Sequence, residues 1–144
     1  MNFKCIAVDD EPLALEKIKL FAGRLPQLIL EATFGNGADA LQYLTNHKID
    51  IVFLDIQMEK LNGIELLEKL DIKPQVILIT ASANYALKGF ELSVTDYILK
   101  PYNFDRFAAS VHKASEYLQW QQRATLQVKT EAEYVFVKSG YKLV

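Results

Sequence analysis

One cysteine, Cys5, stands among 144 residues. An internal disulfide and a cysteine-rich zinc site are therefore excluded, and the thiol reads as a small buried strand residue in a reducing compartment. The two histidines, His47 and His112, have no paired ligand at metal spacing and read as solvated helix positions. There is no basic excess either. Sixteen Lys and Arg against 18 Asp and Glu give a net charge of −2, and neither the first 123 residues nor the remainder carries the positive balance of a nucleic-acid surface. No apolar run is long enough to span a bilayer, and the first residues lack the pattern of a signal peptide, so the chain reads as soluble and cytoplasmic. Internal repeats and low-complexity tracts are absent. What remains is a core-forming composition, 51% hydrophobic, in a length that suits one domain with room for a fragment of a second.

The apolar residues fall into five short runs, and four of them end in a reactive side chain. Ile6-Ala7-Val8 leads into Asp9, Asp10 and Glu11. Ile51 to Leu54 leads into Asp55, Val76 to Ile79 into Thr80, and Tyr97-Ile98-Leu99 into Lys100-Pro101. The run from Leu28 to Phe34 ends instead in Gly35. Helical spacing lies between the runs. Pro12 suits a first helical turn, and Ala14, Ile18, Phe21, Ala22 and Leu25 recur on one face before Pro26 stops the helix. Ala38 to Asn46 reads as a second helix, with Leu41 and Leu44 inward. Asn62, with Glu65 three residues on, reads as a capping box for a third. Tyr85 to Leu92 is a short, weak helix containing Gly89. Asn103 opens a long helix with Phe104, Phe107, Ala108, Val111 and Leu118 on one face. Alternating strands and helices make an α/β fold with a parallel sheet covered on both sides.

In such sheets ligands bind outside the carboxyl ends of the strands. Those ends would gather Asp9, Asp10 and Asp55 with a hydroxyl and an ammonium. Singly, each has an ordinary explanation. A strand-end aspartate is commonly a turn or capping residue, and acids at a helix start are favoured by its dipole. Thr80 alone is a β-former and Lys100 alone a surface charge. Together they make a set for phosphoryl transfer. Asp55 is the nucleophile, the acids hold Mg²⁺ through oxygen, Thr80 supplies a hydroxyl and Lys100 a point charge.

Val8-Asp9-Asp10-Glu11, Leu54-Asp55-Ile56-Gln57-Met58 with Asn62-Gly63, Ile79-Thr80-Ala81 and Asp96-Tyr97-Ile98-Leu99-Lys100-Pro101 resemble, in order and context, the receiver domain of two-component response regulators. The resemblance covers residues 1–122. It implies a flavodoxin-like (βα)5 fold with strand order 2-1-3-4-5. It implies that Asp55 accepts a phosphoryl group from a sensor histidine kinase, with Asp10, Asp55 and the backbone carbonyl of Gln57 on Mg²⁺ and Asp9 acting mostly through water. Thr80 and Lys100 would contact the phosphoryl group, Tyr97 would be the switch aromatic beside Thr80, and Lys100-Pro101 a candidate cis peptide in the same switch. It implies a signalling domain rather than a turnover enzyme. One departure is visible: Met58 is followed by Glu59 where the family usually has proline.

Gln119 to Thr130 is polar and reads as an exit from the domain, giving a linker over 123–132. Tyr134 to Val137 and Lys142 to Val144, around Ser139-Gly140, read as a hairpin, a short β tail. Residues 133–144 resemble the opening of a LytTR-type DNA-binding domain, which implies a transcriptional regulator that reaches DNA only through a full-length C-terminal domain. Tyr85, Phe90, Tyr117 and Trp120 suggest a homodimer through the face formed by the fourth helix, the fifth strand and the fifth helix. Two rival readings stay open: a receiver-like binding module that switches without phosphate, and a Mg²⁺-dependent phosphatase, which would commonly carry an acid where Gln57 stands.

Overall fold

The computed structural model describes residues 2–71, 74–85 and 91–139, with side chains described as far as Leu126. The elements alternate: β1 (Phe3–Val8), α1 (Pro12–Gly23), β2 (Leu28–Phe34), α2 (Gly37–Asn46), β3 (Ile51–Leu54), α3 (Gly63–Glu68), β4 (Gln75–Thr80), a 3-10 turn (Ala83–Tyr85), β5 (Asp96–Leu99) and α4 (Phe104–Ser139). All strand pairs are parallel, in the order β2-β1-β3-β4-β5. This is the flavodoxin-like order expected above. The short helix expected over Tyr85–Leu92 falls largely on residues 86–90, outside the described residues.

Side chains of a strand alternate between faces, and here they supply two cores. Cys5, Ala7, Ile51, Phe53, Ile77, Ile79 and Ile98 face α1 and α4, where Ile18, Phe21, Phe107, Val111 and Ala114 meet them. Ile6, Val8, Val52, Leu54, Val76 and Leu78 face α2 and α3, where Ala40, Ile64, Leu66 and Leu67 lie. Burial on both faces is why the strands read as unbroken apolar runs rather than alternating ones. Phe53 and Phe107 stack across the first core with ring centroids 4.9 Å apart. Cys5 is fully buried, and burial pushes its thiol up to about 12, so it is inert, as expected.

Polar caps set where the helices begin. Pro12 occupies the first turn of α1. Asn36 Oδ1 accepts the Asp39 N–H at 2.8 Å at the start of α2. Asn62 and Glu65 form the expected capping box, and Asn103 Oδ1 accepts the Arg106 N–H at 2.9 Å. His47 stacks on Tyr43 at the end of α2, and His112 pairs with Glu116 on the exposed surface of α4. Neither has a metal-binding partner among the described residues.

The end of the chain departs from the expectation. The linker and first tail strand were read over 123–132 and Tyr134–Val137, but α4 runs as one helix to Ser139. Among the described residues Tyr134–Val137 has no strand beside it to pair with. A helix satisfies its own backbone hydrogen bonds, whereas a strand needs a neighbour. Residues 140–144, which hold the other half of the expected β tail, lie outside the described residues. Among the described residues no helix is long and apolar enough to cross a membrane.

Candidate functional site

The carboxyl ends of β1, β3, β4 and β5 meet at one rim. Asp9 and Asp55 follow directly on β1 and β3, neighbours in the sheet, and both are buried. Asp10 and Glu11 are exposed beside them. One carboxylate oxygen from each of Asp9, Asp10, Glu11 and Asp55 lies within 4.8 Å of the others. Lys100, at the end of β5, reaches across β4 to both buried acids, with Nζ 2.8 Å from Asp9 Oδ2 and 3.2 Å from Asp55 Oδ2. The remaining oxygens take backbone donors: Asp9 Oδ1 accepts the Glu11 N–H at 2.9 Å, and Asp55 Oδ1 the Gln57 N–H at 3.1 Å.

Burial pushes the Asp9 carboxyl up, against the hydrogen bonds from Lys100 and the Glu11 N–H, and the neighbouring Asp55 adds to the rise. Burial works to lower the Lys100 ammonium, but its bond to Asp9 and the two carboxylates outweigh that and leave it raised. Four acids on one cation leave an uncompensated negative field, and clustered carboxylates of this kind call for a further cation. Hard oxygen donors in this number suit a divalent ion that keeps waters. The donor set of Asp9, Asp10, Glu11 and Asp55 therefore fits a divalent metal.

Thr80 ends β4 and is fully buried. Its Oγ1 accepts the Ser82 N–H at 3.4 Å. The Tyr97 hydroxyl donates to the Ser82 carbonyl, so the strand-end tyrosine rests on the loop that leaves Thr80. The Lys100-Pro101 peptide is cis, as expected. A cleft of about 450 Å³ lined by Glu11, Ala14, Lys17, Ala81, Lys100 and Tyr102 opens beside the rim. On the other side Glu59 and Asp10 line a cleft of about 340 Å³ with Asn36 and Leu61. Where proline would fix the backbone, Met58-Glu59 leads into Lys60 at φ 62°, the left-handed region that costs a side-chain-bearing residue about 1–2 kcal/mol. Of the aromatics expected on the outer face, Tyr117 and Trp120 are exposed, Tyr85 is partly buried against the second core, and Phe90 lies outside the described residues.

Several contributors were not read from the sequence. A Cβ on Gly63 would lie 2.6 Å from the Asp55 carbonyl oxygen and 2.9 Å from Ile56 Cα, and one on Gly37 would lie 2.6 Å from the Leu61 carbonyl oxygen. The absence of these side chains lets the starts of α3 and α2 close on the loop that carries Asp55. Lys17 Nζ donates to the Tyr102 carbonyl at 2.6 Å and strapping α1 to the loop after Lys100. Arg106 forks onto Asp96 at 2.7 and 3.1 Å. An arginine in the first turn of a helix opposes the helix dipole, and that misfit was the available signal that a carboxylate must lie near.

Burial alone would raise Asp96, but Arg106, Ser110 and the Tyr97 N–H outweigh it and hold its carboxyl at about 2. A depressed carboxylate stabilises the fold above its unfolded value of 3.8 and loses that contribution as pH falls toward 2. Asp96→Asn should therefore lower stability at pH 7 by about 1–2 kcal/mol, with the gap to wild type narrowing steadily below pH 4. Urea denaturation of both proteins from pH 7 to pH 2 checks this.

Residues 5–112 match the family described as the response regulator receiver domain. Among curated proteins, the chain is 35% identical over 125 residues to the transcriptional regulatory protein YpdB of Escherichia coli K12, covering 85% of this chain and 50% of that one. It is 36% identical over 131 residues to the sensory transduction protein LytT of Bacillus anthracis, covering 89% of this chain and 52% of that one. The chain thus spans about half the length of these relatives. Among solved structures, the response regulatory domain of protein mrkE from Klebsiella pneumoniae superposes with a TM-score of 0.75 at 34% identity, over 83% of this chain and 98% of that one. Fold, strand-end residues and relatives agree, and the chain belongs to the response regulator receiver domain family.

Proposed function

We propose that this chain is the phosphoacceptor part of a two-component transcriptional regulator, with Asp55 taking a phosphoryl group from a sensor histidine kinase. The observation that carries the reading is the shared Lys100. One ammonium bridges two buried carboxylates on neighbouring strands, which places a cation beside the nucleophile before any phosphate arrives. An Asp55 oxygen attacks phosphorus in line as the phosphorus–nitrogen bond of the donor breaks, and the bonding pair leaves with the imidazole. Lys100 then turns from Asp55 to a phosphoryl oxygen, a shift of partner rather than of position. Asp10, Asp55 and the Gln57 carbonyl would hold Mg²⁺, with Asp9 through water, and the ion supplies charge neutralisation at the transferring group.

Thr80, buried at the end of the neighbouring strand, gives its hydroxyl to another phosphoryl oxygen. The loop that leaves Thr80 moves with it, and Tyr97, resting on that loop, follows, with cis Pro101 as part of the same switch. The altered outer face, carrying exposed Tyr117 and Trp120, pairs with a second copy. DNA is reached through a C-terminal domain of LytTR type, and the protein works in the cytoplasm.

Incubation with acetyl phosphate and Mg²⁺, read by intact mass, should give one phosphoryl adduct that chelation of the metal prevents. In parallel, saturating Mg²⁺ at about 100 times its dissociation constant should raise the unfolding free energy by about 2.7 kcal/mol. Light scattering should show the adduct dimerising. A chain that takes no phosphoryl group yet dimerises is a binding module, and steady turnover of unrelated phosphoesters marks a phosphatase.

A further inference from the structure

We propose that Arg106 carries the state of strand β5 into the long helix α4. This rests on the phosphorylation reading above and names how that site is read out. Tyr97 is held at its two ends by different elements. Its hydroxyl rests on the Ser82 carbonyl, in the loop whose Ser82 N–H meets Thr80 Oγ1. Its backbone carbonyl accepts Arg106 Nη2 at 3.0 Å. A displacement of the tyrosine therefore acts directly on a guanidinium that belongs to α4.

Both terminal nitrogens of that guanidinium are committed. Nη1 donates to Asp96 Oδ2 at 2.7 Å and to Ser110 Oγ at 2.8 Å, and Nη2 donates to Asp96 Oδ1 at 3.1 Å as well as to the Tyr97 carbonyl. Ser110 lies one turn further along α4, is fully buried, and donates to Asp96 in turn. Among the described residues β5 is the edge strand of the sheet, and this fork ties its outer side to α4. A planar fork with several simultaneous partners resists small shifts and then gives way as a unit, which a single flexible ammonium does not. The hydrogen-bonded path thus runs from the Thr80 hydroxyl oxygen through Ser82, Tyr97 and Arg106 to Ser110, and α4 continues from there to Ser139, well past the sheet.

The test is amide hydrogen exchange over residues 104–126 of the 144-residue chain, with and without beryllofluoride and Mg²⁺. Acetyl phosphate adduct formation is followed separately by intact mass. Wild type should show a change of at least about threefold in exchange across α4. Arg106→Lys keeps the charge without the fork. It should form the adduct as wild type does, and its α4 exchange should not respond. Tyr97→Phe leaves the fork and removes the hydroxyl contact with Ser82, and it should uncouple in the same way; it keeps the question answerable should Arg106→Lys fold poorly. A silent α4 in fully modified wild type, or a wild-type response in either folded variant, overturns the proposal. Absence of any adduct in wild type overturns the phosphorylation reading first, and this proposal with it, and the mass measurement tells the two failures apart.

Discussion

Asp55→Asn should abolish phosphoryl uptake while leaving the fold in place. The carboxamide keeps one of the two polar contacts that Asp55 makes. Its oxygen can accept the Gln57 N–H now held at 3.1 Å. Its amide nitrogen, placed where Oδ2 meets Lys100 at 3.2 Å, sets donor against donor, and the loss of one negative charge beside buried Asp9 works the other way. These effects oppose each other, so the change in unfolding free energy should stay within about 1 kcal/mol. The chemical effect has no such compensation. A neutral amide is not a nucleophile toward phosphorus, and the adduct in intact mass spectra should fall to background under conditions that modify wild type fully. An undiminished adduct would mean that another carboxylate of the rim, Asp10 for instance, is the acceptor.

Gly63→Ala should be the most destabilising single methyl that can be added near the site. The new carbon would meet the Asp55 carbonyl oxygen at 2.6 Å, Ile56 Cα at 2.9 Å and the Asp55 carbonyl carbon at 3.2 Å. All three are main-chain atoms at the end of β3, and none can swing aside as the tip of a side chain would. Helix propensity favours alanine over glycine by about 1 kcal/mol, but overpacking of this kind typically costs about 1–3 kcal/mol and sometimes more. With three main-chain contacts the cost falls at the upper end, and a net loss of about 1–2 kcal/mol is expected, corresponding to a melting temperature lower by about 3–8 °C for a chain of this size. Gly23→Ala is the control, since a Cβ there meets nothing within 4 Å, and its melting point should stay level or rise. Because relief in Gly63→Ala can come only by moving the backbone that carries Asp55, phosphorylation of that variant should also slow. A melting point equal to wild type would show that α3 shifts freely and does not hold the site.

The strands and the rim were legible because buried parallel strands leave apolar runs that stop abruptly at chemistry. Asp9, Asp55, Thr80 and Lys100 announced themselves by being polar where the run ended, and Asn62 with Glu65 by a spacing that has a local mechanism. What stayed hidden depends on tertiary distance. Arg106, misplaced against its helix dipole, hints at a nearby carboxylate but does not say that it is Asp96 or that the Tyr97 carbonyl is reached as well, and nothing about residue 17 says that its ammonium reaches Tyr102. Gly63 was visible only as part of a turn-like pair, because the reason for it, the closeness of Asp55, lies across space. Tyr134–Val137 misled for a related reason. β-branched and aromatic residues favour strands only when a neighbour completes the sheet, and local composition does not report whether one is there.

Gly37 and Gly63 together have a consequence for how this chain can vary. Each begins a helix, and each leaves room for a main-chain oxygen of the same connection, Leu61 in one case and Asp55 in the other. The segment from 55 to 63 is thereby clasped from two directions, by the starts of α2 and α3. A side chain at either pinch point has to be accommodated by moving the main chain that carries Asp55 or Leu61. Glu59 is exposed within the same connection, so a substitution there meets neither pinch point.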